Sequence, residues 1–374
     1  MCLTACYRCN VVSEENHMRI RLIRRVHALR SNNFEWSSKT TPQSIDRDIV
    51  VTSAGNKRRC RLILTAHGCS IGSCTMCPLP DEAVPWDETI TTEDWLAQLE
   101  QALRAQPEID VLTLYHNGNF FSDKEVPPQR RQAIYARLAR SSVETLVVES
   151  LPQFITADKL QSAQQALRAD QRIEVAIGLQ SMDPFLRETV LASPCNEPAM
   201  HKALKALSQV HYGVQVFLMY QMPFLTVQEA SWSLEESVLA LENRYRIHDP
   251  TICALRIAPN TIAADLHAIE ALKLGNLWDL TTVLERIRLK SSSNRARVAV
   301  SLLKPDSPGA PTTDACPACR SRLLDWIAAY NRGRLPGLPE KCSCAGSTVA
   351  KPYHKEQVLL RIVDYLQTVD RDFV

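Results

Sequence analysis

The 374-residue sequence is poor in glycine and aromatic residues, and it carries no marked excess of either charge. Its 11 glycines form neither a GxGxxG nor a GxxxxGK[ST] motif, so dinucleotide-binding and P-loop folds are unsupported. The 43 basic and 41 acidic residues leave a formal net charge of +2, so any nucleic-acid site has to be a local patch. A hydrophobic share of 45% excludes a largely disordered chain.

Long hydrophobic runs are also missing. The longest mainly apolar run, Val214–Tyr220, is far shorter than the about 20 residues that a membrane-spanning helix needs. No uninterrupted apolar stretch precedes the arginines that begin at Arg19, so no signal peptide is evident. We therefore expect a cytoplasmic protein with no membrane partner.

Cysteine is the residue type in which the chain is unusual. An odd number of 13 cysteines in a long chain without a signal peptide argues against a disulfide framework. Ten of them fall into three groups, which is typical of metal or cluster ligands. The groups are Cys2, Cys6 and Cys9; Cys69, Cys74 and Cys77; and Cys316, Cys319, Cys342 and Cys344.

Short apolar runs alternate with helical patterns from about residue 61 to residue 274. Continuous apolar runs predict strands buried on both faces, and six strand-then-helix units in series predict a parallel sheet. Six units are too few for a full TIM barrel, so we expect an α/β fold with a partial (βα)6 TIM-like barrel. The predicted strands are 61–66, 111–116, 145–150, 173–179, 214–220 and 253–258.

The composition suggests three regions. Residues 1–57 form an N-terminal basic helix and lead-in, and residues 58–300 form the barrel. Residues 301–374 form a small cysteine-rich metal-binding extension, which begins with a proline-rich linker.

The segment that follows the first predicted strand contains Cys69, Cys74 and Cys77 in the spacing C-x4-C-x2-C. Three thiolates on one short loop can hold three irons of a [4Fe–4S] cube, and the missing fourth ligand leaves one iron open to a small molecule. Gly68 and Gly72 suit a loop that folds tightly around such a group. The alternative is a zinc knuckle that lacks one ligand, but the position at a strand end favours the cluster.

Several segments resemble the radical SAM superfamily over about residues 58–300. The likeness is strongest to the branch of the Elp3-like enzymes and the archaeosine synthase radical SAM subunit. The segments are GCSIGSCTMCPLP, LYHNGNFFSDKEVP, LVVESLPQFIT, IGLQSMDPFLRETV and YQMPFLTVQEA. The resemblance implies a [4Fe–4S] cluster on the three cysteines and S-adenosylmethionine (SAM) as the second cofactor.

The resemblance also implies residues that contact SAM. The turn Asn117-Gly118-Asn119 stands where the superfamily often has a Gly-Gly-Glu-like turn, with Asn119 in place of the acid. Arg187 is the expected partner of the SAM carboxylate, with a surface ion pair as the alternative. The other expected cofactor contacts are the Met76 backbone, Ser150, Gln180 and Ser181. Possible substrate-side groups are Glu149, Tyr115 and His116.

The two other cysteine groups are interpreted separately. Cys2, Cys6 and Cys9 have the spacing C-x3-C-x2-C, but no strand precedes them, so an extra metal site or free thiols is the expectation. The four cysteines of the extension have the number of thiolates required for structural Zn²⁺ or for an auxiliary iron–sulfur cluster.

The resemblance implies an enzyme that reductively cleaves SAM to a 5′-deoxyadenosyl radical, which abstracts hydrogen from a substrate. That substrate is either a tRNA-linked base adduct or a small biosynthetic intermediate, and the electron donor is a protein such as a flavodoxin or ferredoxin. Three basic runs, 19–30, 57–61 and 286–297, are a candidate track for a polyanion or simply solvated faces. The alternative function is a zinc-stabilised, non-catalytic binding protein on a barrel scaffold.

Overall fold

A computed structural model describes residues 2–371 except 32–33, 37, 53–54, 106–107, 292, 304–310 and 346–348. Of residues 2–13, 51–52 and 371, only the backbone is described.

The described residues form one eight-stranded sheet in the order of the chain. The first two strands pair antiparallel as a hairpin, and every later pair is parallel. The strands are β1 Ser44–Thr52, β2 Gly55–Ile63, β3 Val111–Tyr115, β4 Thr145–Glu149, β5 Arg172–Gln180, β6 Gly213–Tyr220, β7 Thr251–Ala254 and β8 Arg297–Val298. Because β1 and β8 are the two edges and do not pair with each other, the barrel is open.

Helices connect successive parallel strands, as βαβ crossovers require. The α-helices are α1 Cys2–Leu29, α2 Thr92–Ala105, α3 Pro128–Leu138, α4 Ala157–Ala166, α5 Glu197–Gln209, α6 Val227–Tyr245, α7 Ile262–Ala268, α8 Leu277–Lys290, α9 Pro317–Asn331 and α10 Lys355–Arg371. Of these, α2 to α8 connect parallel strands, whereas α1 precedes the sheet and α9 and α10 follow it. No helix among the described residues is long and apolar enough to span a membrane.

The predicted fold class is confirmed, because all six predicted strands lie in one open, mainly parallel sheet. The hairpin strand β1, the short β8 and the helix α8 were not predicted. The first lies in a polar, turn-rich region, and β8 has only two residues, so neither shows a periodic signal.

The expectation that the strands are buried on both faces is wrong for part of the sheet. In β5, residues 173, 175, 177 and 179 are buried against the helices, whereas several of the residues between them are only partly covered. β2 alternates in the same way towards its end. The open barrel therefore has a filled outer face and a half-exposed concave face.

Two apolar cores hold these elements. The main core lies between the sheet and helices α2 to α6 and α8, and it also takes Leu323, Trp326 and Ile327 of α9. The second core joins α1, α7 and α10 to the loops that follow β5 and β6, and it contains Met76. The three-region division stays a prediction, since α9 of the extension packs into the same core as the barrel.

Candidate functional site

The loop from residue 64 to residue 78 carries three cysteines at the carboxyl end of β2. A Cβ at Gly68 would come within 2.8 Å of the Ala83 Cβ, and Gly72 has a φ of +60°. A Cβ at Gly118 would lie 3.0 Å from the backbone nitrogen of Cys69. The loop and the neighbouring turn therefore approach each other at distances that only glycine allows.

Contacts from distant segments fix the shape of this cysteine loop. Arg30, just after α1, donates to the carbonyl oxygens of Cys77 at 2.9 Å and Gly72 at 3.0 Å, and pairs with Asp81 at 2.8 Å. The Thr75 backbone nitrogen donates to the Leu191 carbonyl at 3.0 Å. The loop is thus held in one conformation by the backbone and by one arginine whose side chain is 9% exposed.

Burial raises the pKa of each of the three thiols of the loop. For Cys69, the charge of Glu125 adds to burial. Burial raises the pKa of Cys74 well above its ordinary value, with Cys77 and Cys69 adding to it, and raises that of Cys77 to about 12. The Arg30 guanidinium opposes the rise at Cys74 and Cys77. Such thiols favour the neutral form unless a bound cation deprotonates them.

The three sulfur atoms are spread further apart than the ligands of a single ion. Among the described residues, the one group of three or more candidate ligand side chains whose ligand atoms all lie within 4.8 Å of one another is the C-terminal cysteine group. At least one pair of sulfur atoms among Cys69, Cys74 and Cys77 therefore lies further apart than this, which agrees with a multi-iron group.

The predicted Asn117-Gly118-Asn119 turn lies directly beside the cysteine loop. The Cys69 backbone nitrogen donates to the Asn117 carbonyl at 2.8 Å, and the Asn119 amide lies 3.5 Å from the Cys69 sulfur. The Asn119 side-chain oxygen accepts from the Leu151 backbone nitrogen at 2.8 Å. Asn119 therefore links the ends of β3 and β4 to the cysteine loop.

Glu125 is a residue of the site that the sequence analysis missed. Its buried carboxylate accepts from the Ser70 backbone nitrogen at 2.9 Å, the Ser70 hydroxyl at 2.8 Å, and the backbone and side-chain amides of Asn119. Asn119 is thus held by a carboxylate six residues further along the chain. The segment LYHNGNFFSDKEVP contains this glutamate, but its spacing from the other residues of the segment gives no indication that it belongs to the site.

Two of the three predicted substrate-side residues share the concave face of the barrel. Tyr115 and Glu149 end adjacent strands, and both lie near Cys253 of β7. Burial raises the pKa of Tyr115, and the charge of Cys253 adds to this rise; burial also raises the pKa of Cys253, and the charge of Glu149 adds to that rise. Burial raises the pKa of Glu149 to about 7, and no described side chain donates a hydrogen bond to its carboxylate. Gly178 lies beside the Glu149 carboxylate and has no side chain to fill the space in front of it. A Cβ at Gly178 would lie 3.8 Å from a Glu149 carboxylate oxygen.

His116 points away from this face. It is buried 5.2 Å from the Trp95 ring of α2, and its Nδ1 lies 3.2 Å from the His67 carbonyl oxygen. Burial lowers its pKa. The structure therefore brings Tyr115 and Glu149 together and places His116 behind the sheet.

The remaining predicted cofactor contacts lie in different surroundings. Gln180 has a φ of +67°, and its buried side-chain oxygen has no partner among the described residues. Ser181 lies against Ser237 of α6 at 3.3 Å, and Ser150 is buried at the end of β4. Met76 is buried in the second core. Gln180 is thus the member of this set with unused hydrogen-bonding capacity.

Arg187 is engaged within the protein. Its guanidinium donates to the carbonyl oxygens of Cys195 at 2.8 Å and Ser181 at 3.0 Å and pairs with Glu188 at 2.8 Å. Its side chain is 2% exposed, whereas that of Glu188 is 38% exposed, so the ion pair joins a buried guanidinium to an exposed carboxylate. A contact with the SAM carboxylate stays a prediction, but the internal partners favour a structural role.

The four C-terminal cysteines converge around the start of α9. The sulfur of Cys342 lies 3.6 Å from that of Cys316, 3.2 Å from that of Cys319 and 3.0 Å from that of Cys344. Tetrahedral zinc with Zn–S bonds of about 2.3 Å separates its ligands by about 3.8 Å. The four thiols are therefore spaced for one metal ion.

The three basic runs are largely paired inside the protein. Arg25 binds Asp265 at 2.6 Å, and Lys57 binds Glu144 at 2.6 Å. Arg286 pairs with the buried Glu235. These contacts favour the interpretation of the runs as structural. The side chains of Cys2, Cys6 and Cys9 lie outside the described residues, so the expectation for that group stays a prediction.

Two curated proteins are similar in sequence to about half of this chain. No family model matches the chain. An uncharacterized protein of Methanocaldococcus jannaschii is 27% identical over 179 residues, covering 45% of this chain and 48% of that protein. Archaeosine synthase subunit beta of Methanosarcina acetivorans is 29% identical over 187 residues, covering 47% of this chain and 52% of that protein. The chain thus spans about half the length of these curated relatives.

Among solved structures, an N-terminally truncated Elp3 of the archaeon Methanocaldococcus infernus matches with a TM-score of 0.45 and 13% identity. The match covers 65% of this chain and 58% of that chain. The sequence similarity to archaeosine synthase subunit beta agrees with the resemblance that the motifs indicated.

Proposed function

We propose that the chain is a radical SAM enzyme that holds a [4Fe–4S] cluster on Cys69, Cys74 and Cys77. The single observation that carries the proposal is the half-buried loop with three thiols at the carboxyl end of β2, where open α/β sheets place their functional groups. Gly68 and Gly118 allow this loop and the neighbouring turn to pack closely, which holds the three thiols at one end of the sheet.

The donor set fits such a group. Three cysteines on one loop leave one iron of a cube without a protein ligand, which suits a cluster that also binds SAM. The Arg30 guanidinium lies close enough to Cys74 and Cys77 to stabilise their thiolate forms. The chemistry that the cluster and SAM supply is reductive cleavage of SAM to methionine and a 5′-deoxyadenosyl radical, which takes a hydrogen atom from the substrate.

The residues of the chain itself have other tasks. Asn119 and Glu125 orient the loop against the ends of β3 and β4. Tyr115, Glu149 and Gln180 line the mouth of the concave face, where they are positioned to bind polar groups of SAM or substrate. The filled outer face shields this space from water on one side, which protects a reactive species from side reactions.

For the substrate, we propose an RNA-linked base adduct. The support is the likeness to archaeosine synthase subunit beta over 187 residues. A small biosynthetic intermediate remains the second candidate, because the basic runs that suggested a polyanion track are paired internally. A flavodoxin or ferredoxin as electron donor stays a prediction from the resemblance.

The test is anaerobic reconstitution followed by iron and sulfide analysis and by detection of 5′-deoxyadenosine from SAM and a strong reductant. We expect the wild-type protein to give deoxyadenosine and the triple variant C69A/C74A/C77A to lose both iron and product. The matched control C2A/C6A/C9A removes the other cysteine triplet and should keep both. A wild-type protein with an intact cluster and no deoxyadenosine would contradict the proposal.

The C-terminal site belongs to the same proposal as a second metal centre. We infer one tetrahedral ion, with Zn²⁺ as the metal, because the four sulfurs are spaced for a single ion and not for a cluster. A protein with zinc but no iron after anaerobic purification and reconstitution would instead support the non-catalytic alternative.

Titration of total tRNA at several salt concentrations tests the substrate class. Phosphate contacts make the logarithm of affinity fall with the logarithm of salt concentration. Micromolar binding with a steep salt slope is expected for an RNA substrate. Absence of binding would favour the small-molecule candidate.

A further inference from the structure

A cleft between two tryptophans opens beside the cysteine loop. Its volume is about 460 Å³, and it is lined by Trp36, Pro85, Trp86, Asp87 and Glu88. Trp86 is 43% exposed, and it is the one exposed aromatic side chain in the part of the chain that the structure describes. A solvent-exposed indole in a cleft of this size offers a flat stacking surface and not a core contact.

The cleft is attached directly to the proposed catalytic loop. The Trp86 ring stacks on His67 with a centroid distance of 4.6 Å and an interplanar angle of 18°. His67 is two residues before Cys69, and its Nδ1 lies 3.1 Å from the Val84 carbonyl oxygen. Because His67 stacks on one face of the Trp86 ring, a base would stack on the opposite face, at the rim of the barrel on the side of the cysteine loop.

Both rings have a lysine ammonium above them. The Lys124 nitrogen lies 5.1 Å from the centre of the Trp86 ring, and the Lys39 nitrogen lies 5.5 Å from that of Trp36. Lys39 also pairs with Glu88 at 3.1 Å, whereas Lys124 has no ion pair among the described residues. A cation without an acidic partner at the edge of an aromatic cleft is suited to a phosphate contact.

The acidic residues of the cleft add a second kind of contact. Asp87 and Glu88 supply carboxylate oxygens, which accept hydrogen bonds from the exocyclic amino groups of bases. Stacking surface, base-edge acceptors and a flanking cation are the combination that single-stranded nucleic-acid sites use. A quaternary ammonium ligand also suits aromatic rings and carboxylates. It is disfavoured here because the Lys124 ammonium, which has no ion pair among the described residues, would repel a cationic ligand and attract the phosphate next to a base.

We propose that the Trp36–Trp86 cleft binds an unpaired base of the RNA substrate, next to the nucleotide that enters the barrel. This inference rests on the proposed RNA-linked substrate and adds a binding site for it. The base replaces the flexible Lys124 side chain over the Trp86 ring, its amino edge meets Asp87 or Glu88, and the displaced Lys124 ammonium contacts the adjoining phosphate.

The test is equilibrium binding of two probes, total tRNA and a single-stranded RNA of about ten nucleotides, which is within the usual site size. Loss of one stacked base costs about 1–3 kcal/mol, so Trp86→Ala should weaken binding by about 5- to 150-fold. Trp86→Phe keeps an aromatic face and should retain most of the affinity. Leu289→Ala, a 74% exposed residue of α8, is the matched control and should change nothing.

Two further measurements separate stacking from a general structural effect. Lys124→Gln should reduce the slope of log affinity against log salt by about 1, because one phosphate contact is lost. Iron content and melting temperature of Trp86→Ala should equal those of the wild-type protein, which shows that the loop is intact.

The outcomes distinguish this inference from the proposed function. If Trp86→Ala binds both RNA probes within about twofold of the wild-type protein, the cleft does not bind a base. Saturable binding of tetramethylammonium that depends on Trp86, without RNA binding, would also overturn the inference. Wild-type protein that cleaves SAM but binds no RNA would reject the cleft and the RNA substrate while leaving the radical SAM activity in place. Absence of SAM cleavage would reject the activity but not RNA binding at the cleft.

Discussion

At the scale of single residues, Glu125 shows how a buried charge organises the cysteine loop. Its carboxylate is 1% exposed and accepts four hydrogen bonds from Ser70 and Asn119, two from backbone nitrogens and two from side chains. A buried carboxylate is tolerated only when donors surround it, and each such bond stabilises more than a neutral one. The loop and the turn beside it are therefore held together by one side chain.

Glu125→Gln should lower the free energy of unfolding by about 2–3 kcal/mol, because an amide nitrogen would face donors where an oxygen accepted. Chemical denaturation of the protein measures this loss. Iron bound per chain after reconstitution should fall as well, since Ser70 and Asn119 lose their common partner.

Glu144→Gln is the matched control for this change. Glu144 is half-exposed and pairs with Lys57 at 2.6 Å, and exposed pairs contribute about 0–1 kcal/mol. Equal losses in the two variants would show that Glu125 is not a special contact.

At the scale of elements, buried glutamates fix both ends of the helix α6. α6 begins with a capping box in which Thr226 and Glu229 each accept from the other's backbone nitrogen, and Arg361 of α10 pairs with Glu229 at 2.7 Å. Near its other end, Glu242 accepts from Ser291, Ser293 and Asn294 in the loop after α8. α6 is thus joined to α10 at its start and to the α8 loop near its end.

Glu242 makes the stability of this region dependent on pH. Burial by itself raises the pKa of Glu242, but hydrogen bonds from Ser293, Ser291 and Asn294 outweigh it and lower the pKa from 4.5 to about 2. The folded protein therefore binds this proton less readily than the unfolded chain. The resulting stability is fully present above the ordinary pKa and is lost as the pH falls towards 2.

Glu242→Gln should therefore be less stable than the wild-type protein at pH 7, and the difference should shrink between about pH 5 and pH 2. Urea denaturation across this range measures it. Glu236→Gln, on the exposed side of the same helix, should leave the wild-type profile unchanged. A constant difference between Glu242→Gln and wild type at every pH would contradict the assignment.

At the scale of the whole molecule, the first and last helices pack together against the loops that follow β5 and β6. α1 and α10 pack together with α7 in the second core, and Arg25 of α1 contacts both Asp265 and Tyr365. The C-terminal cysteines hold the start of α9 against the main core, where Trp326 is buried. A metal there would tie the extension to the barrel.

Removal of that metal should destabilise the protein. Cys319→Ser should lose one bound zinc ion per chain and lower the free energy of unfolding by more than about 2 kcal/mol, as loss of a structural metal does. Metal analysis and chemical denaturation measure both effects. Cys253→Ala removes a cysteine outside the group and should keep the zinc; a Cys319→Ser protein with full zinc would show that the site has been assigned wrongly.

Much of the fold could be predicted because local residue patterns specify it. Six apolar runs separated by amphipathic helices specify a parallel sheet, and the cysteine spacing marks the loop after β2. The strands' half-exposed face was missed because Tyr115, Glu149 and Cys253 occupy positions that an apolar run masks. Glu125 was missed because its partners are distant in sequence or unremarkable in type.

The sequence by itself determined the order of the elements, the cysteine groups and the loop that carries the thiols, since these depend on residue type and spacing. Only the tertiary structure decided which of the predicted side chains meet. It placed Tyr115 and Glu149 on one face and His116 on the other, engaged Arg187 with backbone oxygens, and opened the cleft at Trp86. The physical reason is that direction and contact depend on strand register and packing between distant segments, which no local pattern encodes.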